Sequence, residues 1–379
     1  MPDSPGGSVM SIVDSDAREV GNIVDLLGAT ENSFCFLHGF GSVGAEVGSG
    51  FPKAHRYLSG LLTRKGVLRD EKFYLETTLF GVYREPGSVS YMVQPYADAA
   101  RGEWSVVADG EMFLYGAYVW DTNYQHFIIE SLPRIWLLDG IAEFRHLPMV
   151  VSDETHVREI VGLCFPHREF IFLQEGAAVD ARGGCIAMAP VSRNFSEIPD
   201  ALAFAARHLR ECVLRHRDTV EAAGGGASFA YFGRKYDPSY VGRDRVAFEL
   251  EELLALLGEN GFVVRDFDGK DLFRKAGELK GVSVAVTPVG ANVMNLLLSS
   301  GLEKIVIIEH PMWHGGRYFA RLLHRVGVIG REEDVLQFFG TYLDPEGKPS
   351  PVAPYHVRID DLKTVISTVL GGLVEGPVV

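Results

Sequence analysis

The chain has 379 residues, 47% of them hydrophobic and 23% charged, a globular balance in a length that outgrows a single core and predicts two domains. Its formal net charge of -14 sets the surface against a polyanion and no basic cluster offsets it, which excludes a nucleic-acid partner; a few buried cations and backbone N–H groups can still neutralise one diphosphate. Cys35, Cys164, Cys185 and Cys212 are widely spaced without a C-x-x-C pair, against a structural zinc site or a disulfide scaffold and in keeping with a reducing compartment.

Residues 1–7 are polar and rich in Gly and Pro, without the basic start and apolar run of a signal peptide. No stretch approaches the roughly 20 apolar residues of a membrane helix, so the expected location is the cytoplasm. Gly39, Gly41 and Gly44 match G-x-G-x-x-G, but Gly48 and Gly50 interrupt any helix that would follow, and the segment reads as a flexible loop able to cover an acceptor groove. Residues 72–96 and 111–120 are strand-rich, and the aromatic residues of 73–96 read as core packing, with an acceptor-binding face as the alternative. Short apolar runs follow at 149–151 and 170–173, giving an α/β first half with an added antiparallel section.

Between them lies the densest polar pattern of the chain, Asn123-Tyr124-Gln125-His126-Phe127-Ile128-Ile129-Glu130-Ser131-Leu132-Pro133-Arg134. In a helix, His126, Glu130 and Arg134 fall at i, i+4 and i+8, a polar stripe facing a cleft or solvent beside apolar Phe127, Leu132, Ile135 and Trp136. Pro133 removes one helix hydrogen bond and frees the carbonyl of Ile129. A carboxylate beside a histidine holds it in one tautomer, as a general base for a hydroxyl requires. Spacing alone equally allows a plain Glu130–Arg134 surface pair with His126 packed beside it.

A helical pattern over 198–220 runs into the small-residue segment 221–228, the expected linker. Beyond it, strands at 228–232, 262–267, 282–286 and 304–309 alternate with helices at 243–259, 272–279 and 292–298, the pattern of a parallel sheet whose ligands sit beyond the carboxyl ends of its strands. The turn 287–291 lies at such an end. Gly290 lets backbone approach an anion, the following helix offers free N–H groups, Arg234 and Lys235 can pair with phosphate oxygens, and Glu309 is placed to accept ribose hydroxyls. His310 and His314 are four apart, but Pro311, Gly315 and Gly316 argue against a helical metal pair. That loop reads as a cleft segment in which Trp313, His314 or Tyr318 contacts sugar or base.

The 123–134 string resembles the N-Y-x-H-[F/W]-x-x-E-x-x-P-R signature of glycosyltransferase family 61. Tyr231-Phe232-Gly233-Arg234-Lys235 is similar to that family's aromatic-Ile-Ser-Arg-Arg strand end, Arg243 with 249–254 to its next helix, and 282–295 to its v-i-v-G-x-H-G-A-x-x-x-N block. The likeness covers about residues 110–325, with Val289 where the family usually has His and Gly233 where it has Ser.

The resemblance implies a GT-B architecture: two Rossmann-like domains facing a central cleft, with the β-rich N-terminal section added. Residues 1–222 would form the acceptor-side domain and 223–345 the nucleotide-sugar domain, with the tail 346–379 packing back on the N-terminal domain. It further implies metal-independent, inverting transfer from a nucleotide sugar, expected to be UDP-linked, to a glycan or small-molecule hydroxyl. His126 or Glu130 would be the base and Arg134 its orienter or a donor-phosphate contact. Gly233, Arg234, Lys235, Thr287, Gly290, Ala291, Asn292, Asn295 and Glu309 would hold the donor, and Asn123, Tyr124, His314 and Tyr318 the substrate. The alternatives are a sugar-nucleotide epimerase or hydrolase on the same fold and a non-catalytic sugar-nucleotide-binding protein, for which Val289 speaks.

Overall fold

The computed structural model describes residues 104–118, 120–188, 198–216, 228–233, 249–310, 317–341 and 355–374, with the short segments 13–14, 34–36, 54–57, 60–64, 66–69 and 72–75 upstream. The glycine loop 39–44, the strand-rich reading of 72–96 beyond residue 75, the linker 221–227, and Arg234, Lys235, Arg243, Trp313 and His314 lie outside the described residues. The chain is mixed α/β and forms two compact units, residues 1–194 with 199–206, and residues 195–198 with 207–379. No helix among the described residues is long and apolar enough to cross a membrane.

The strands of the first unit are β1 (Val13–Asp14), β2 (Phe34–Phe36), β3 (Ala54–Tyr57), β4 (Gly60–Thr63), β5 (Gly66–Arg69), β6 (Lys72–Leu75), β7 (Ser105–Gly110), β8 (Phe113–Tyr115), β9 (Met149–Ser152), β10 (Phe170–Leu173), β11 (Ala177–Ala181) and β12 (Cys185–Met188). β12-β8-β9-β10 pair in parallel throughout, with β3 antiparallel beside β12 and β1 beyond it. A second, mixed sheet has the order β2-β6-β5-β4-β11-β7. β8 feeds the helical segment α1 (Tyr124–His126), a π turn (Phe127–Ser131) and α2 (Leu132–Gly140), which returns the chain to β9, while α3 (Thr155–Cys164) joins β9 to β10.

The helical segment packs tightly on the sheet, with Phe127, Ile128, Leu132, Ile135 and Leu138 all 0% exposed. Gly116 eases the approach, because a Cβ there would stand 3.1 Å from Ile135 Cγ1, tighter than most interior contacts, with Met149 Sδ and Val151 Cγ1 already in contact at 3.4 Å.

The second unit is an all-parallel five-stranded sheet of order β14-β13-β15-β16-β17, formed by β13 (Phe229–Phe232), β14 (Val263–Arg265), β15 (Val284–Pro288), β16 (Lys304–Glu309) and β17 (Val335–Phe339). Counted within the unit this is the doubly wound order 2-1-3-4-5, whose switch point lies between β13 and β15. Unbroken apolar runs such as Ala285-Val286 and Ile305-Val306-Ile307-Ile308 are buried on both faces, as parallel strands covered by helices require. The remaining helices in chain order are α4 (Asp200–Leu214), α5 (Leu250–Glu259), α6 (Leu272–Leu279), α7 (Ala291–Asn295), α8 (Tyr318–Val326) and α9 (Ile359–Val374).

Two domain expectations change. The division falls inside α4 rather than at residue 222: Phe204 stacks on Trp136 at 5.7 Å within the first unit, while Arg207 and Arg210 donate to the carbonyls of Arg325 and Ser299 within the second. The tail belongs to the second unit instead of packing back on the first. Leu362, Ile366 and Val369 of α9 share a core with Leu253 and Leu257 of α5 and with Val284 and Val306, and Glu249 accepts hydrogen bonds from Val357 N–H and His356. The apolar face of α9 is complementary to that core.

Candidate functional site

The first site is built where the chain leaves β8. Asn123 caps α1, its side-chain oxygen accepting from Gln125 N–H at 2.9 Å. This is the local role of an Asn before a helix. Tyr124 is buried, its phenol pushed up by desolvation, and packs edge-on against His156 at 5.7 Å.

His126 is half-buried and its Nδ1 lies 2.9 Å from Glu130 Oε2, while Glu130 is 9% exposed. With Nδ1–H donated to the carboxylate, Nε2 carries the free lone pair, so the ring is oriented as a proton acceptor. The tilted Trp120 ring stands 6.1 Å away.

Arg134 departs from the expected stripe. It is 0% exposed, its Nε donates to the carbonyl of Glu130 at 3.2 Å, and its terminal nitrogen donates to Ser131 Oγ at 3.2 Å and to the carbonyls of Gly116 and Ala117 at 3.4 Å. Its guanidinium also lies 5.3 Å from the Tyr118 ring. Donors spent on protein oxygens assign it to holding the helix on the sheet rather than to a donor phosphate. The π turn is the cause: Leu132 N–H bonds to Phe127 O, five residues back, and a widened turn rotates everything beyond it off the α-helical stripe.

Sequence reasoning missed the polar cluster behind this pair. Asp121 is 0% exposed; its carboxylate accepts from Ser131 Oγ on one oxygen and from Ser152 Oγ and Tyr118 N–H, both at 2.8 Å, on the other. Burial pushes its carboxyl up to about 6, against the lowering pull of those donors and of Arg134. His156 Nε2 lies 2.8 Å from its main-chain oxygen. Asp121, two residues before the 123–134 string, and Ser131 within it are legible as polar residues, but Ser152 and His156 come from the next strand and helix, which no local pattern connects to them.

The second site is the carboxyl edge of β13 and β15 in the second unit. Thr287 Oγ1 and Asn292 Nδ2 both donate to the carbonyl of Phe232, at 3.0 and 3.2 Å, and Asn292 also reaches the carbonyl of Gly233 at 3.3 Å. These two expected donor contacts therefore shape the edge of the crevice. Gly290 has φ 128° and ψ -152°, a backbone region essentially reserved for glycine, and leads directly into Ala291.

Asn295 is 4% exposed, with an Oδ1 that has no hydrogen-bond partner among the described residues. Glu309, 2% exposed at the end of β16, accepts from Gln337 Nε2 at 2.9 Å, and desolvation pushes it up to about 7. Val289 is 4% exposed and its N–H bonds to Ile308 O at 2.8 Å, so this position supplies no polar side chain to the edge. Tyr318 is 1% exposed, packed against Phe319, a core placement instead of the expected open contact. No protein-family model matches the chain, and no curated protein matches it.

Proposed function

We propose that the chain is an inverting glycosyltransferase of GT-B-like build, moving a sugar from a nucleotide donor, UDP-linked in our reading, to a hydroxyl of a glycan or small molecule. The observation that carries the reading is the His126–Glu130 contact of 2.9 Å, made through Nδ1 of a half-exposed histidine that follows β8 in the chain. In this reading Nε2 takes the proton of the acceptor hydroxyl as its oxygen bonds to the anomeric carbon; the bond to the diphosphate breaks with its electron pair going to the departing phosphate oxygen. Glu130 fixes the tautomer and balances the imidazolium that forms.

Donor binding is assigned to the β13–β15 switch point, the place where doubly wound sheets take their ligands. The backbone around Gly233, Gly290 and Ala291 would meet the diphosphate there, with Arg234 and Lys235 next in sequence to β13, and Asn295 and Glu309 would face the nucleoside. The resemblance of residues 123–134 and 282–295 to glycosyltransferase family 61 points the same way. The buried Val289 favours a second reading, a protein that binds the nucleotide sugar without transferring it.

A thermal-shift series with nucleoside diphosphates and sugar nucleotides tests both, since a ligand of the native state raises the melting temperature. Stabilisation by one donor class together with transfer that is lost in His126→Ala supports the transferase. Stabilisation with no transfer to any hydroxyl acceptor selects the binding protein, and no stabilisation by any nucleotide removes both.

A further inference from the structure

His126 and Glu130 sit on a short segment with its two ends held by the same carboxylate. Upstream, Tyr118 N–H donates to Asp121 Oδ2 at 2.8 Å and Asp121 N–H returns to Tyr118 O at 3.0 Å, closing the turn that leads into Tyr124. Downstream, Ser131, the residue after Glu130, donates its hydroxyl to Asp121 Oδ1. Arg134 donates to Ser131 Oγ at 3.2 Å and so occupies an acceptor position of that hydroxyl, directing its hydrogen to Asp121. Ser152 at the end of β9 fixes the carboxylate to the sheet at 2.8 Å. His156 of α3 reaches the Asp121 carbonyl at 2.8 Å.

We propose that Asp121 is the positioning residue of the His126–Glu130 pair, pinning both ends of the segment so that its π turn keeps the form in which His126 Nδ1 meets the Glu130 carboxylate. A five-residue π turn has no α-helical register to fix its form by itself, and a buried carboxylate with three donors aimed at it is a rigid anchor. The charged and titratable groups around it are Arg134 from α2 and His156 from α3, both already engaged with protein oxygens. The catalytic meaning of the inference rests on the reading of His126 as base, whereas its structural content does not.

The test uses the full chain labelled with nitrogen-15 in histidine. Long-range proton–nitrogen spectra report which ring nitrogen of His126 carries the proton, with its signal assigned by its loss in His126→Gln. The wild type and Asp121→Asn are expected to show one tautomer protonated at Nδ1. The carboxamide rescues because its oxygen can accept from Tyr118 N–H and Ser152 while its nitrogen donates to Ser131. Asp121→Ala and Ser131→Ala are expected to move the two ring nitrogens toward a common averaged shift while circular dichroism stays that of the folded protein.

A folded Asp121→Ala with the wild-type tautomer overturns the proposal; should that variant fail to fold, Ser131→Ala with the wild-type tautomer does so. Full transfer retained by His126→Gln would instead remove the base assignment and leave the positioning role of Asp121 standing.

Discussion

Arg134 donates from Nε to the main-chain carbonyl oxygen of Glu130, one turn earlier, at a distance of 3.2 Å. The π turn over Phe127–Ser131 shifts the hydrogen-bond ladder and leaves that carbonyl to a side-chain partner, and Pro133, the residue before Arg134, brings no N–H to the ladder. Lysine at 134 has no planar fork and cannot serve Glu130, Ser131, Gly116 and Ala117 together. Arg134→Lys is therefore expected to cost about 2–4 kcal/mol, and Arg134→Ala about 3–5 kcal/mol by also leaving buried acceptors unpaired. Urea denaturation measures both, and a wild-type midpoint in Arg134→Lys would refute this account of the guanidinium.

The same π turn shows where sequence reasoning stopped. His126 and Glu130 at i, i+4 were legible, because that spacing brings side chains together within one turn. Arg134 at i+8 was placed on their face by α-helical periodicity, which one widened turn defeats. In the second unit, Lys304–Glu309 and Leu272–Leu279 have the bounds the sequence predicts, since their hydrophobic runs end in polar residues or Gly.

Val284–Pro288 runs two residues past the predicted end. Thr-Pro reads as a turn, yet Thr287 satisfies its hydroxyl on Phe232 O and Pro288 takes the last register position opposite Ile308. The convergence of Asp121, Ser152 and His156 depends on strands β8 and β9 being neighbours, a fact of tertiary pairing with no local signature.

Glu309 makes stability depend on pH with a definite sign. Desolvation raises its carboxyl from an ordinary 4.5 to about 7, so folding favours the protonated form. The stabilising contribution is complete below about pH 4.5 and is lost as the pH rises through about 7, a change of about 3 kcal/mol. Glu309→Gln keeps an oxygen for Gln337 and removes the titration. The wild type is expected to lose urea resistance from pH 5 to pH 8 by more than Glu309→Gln does. Asp121 adds a dependence of the same sign that is complete once the pH has risen through about 6, but it is common to both proteins and cancels in the comparison. Parallel pH curves for the two proteins would place Glu309 in a solvated setting instead.

Gly290 is expected to tolerate no side chain. Its φ of 128° costs any L-residue about 1–3 kcal/mol, so Gly290→Ala should lower the denaturation midpoint and weaken any nucleotide effect on melting by shifting the turn into α7. Gly162 is the control. It is exposed within α3, and a Cβ there meets nothing within 4 Å, so Gly162→Ala should stabilise by about 0.5–1 kcal/mol. Equal effects at the two glycines would show that the backbone around Gly290 relaxes freely.

The choice between His126 and Glu130 as base is a question of which substitution removes the proton acceptor and which only loosens it. Glu130 is buried and points one carboxylate oxygen at Nδ1, 2.9 Å away, whereas His126 is half-exposed; access to a sugar hydroxyl favours the imidazole. His126→Gln should then reduce kcat by about 10²–10⁴-fold with KM little changed, because a base acts in the transition state and not in ground-state binding.

Glu130→Gln retains an oxygen for Nδ1–H but loses the charge that balances the imidazolium, and should reduce kcat by a smaller factor at unchanged melting temperature. The reverse order, with Glu130→Gln inactive and His126→Gln only impaired, would make the carboxylate the base and the histidine its orienter. A histidine donating Nδ1–H to that carboxylate would then hold the oxygen that takes the proton, and the 2.9 Å contact would serve the same reaction with the roles exchanged.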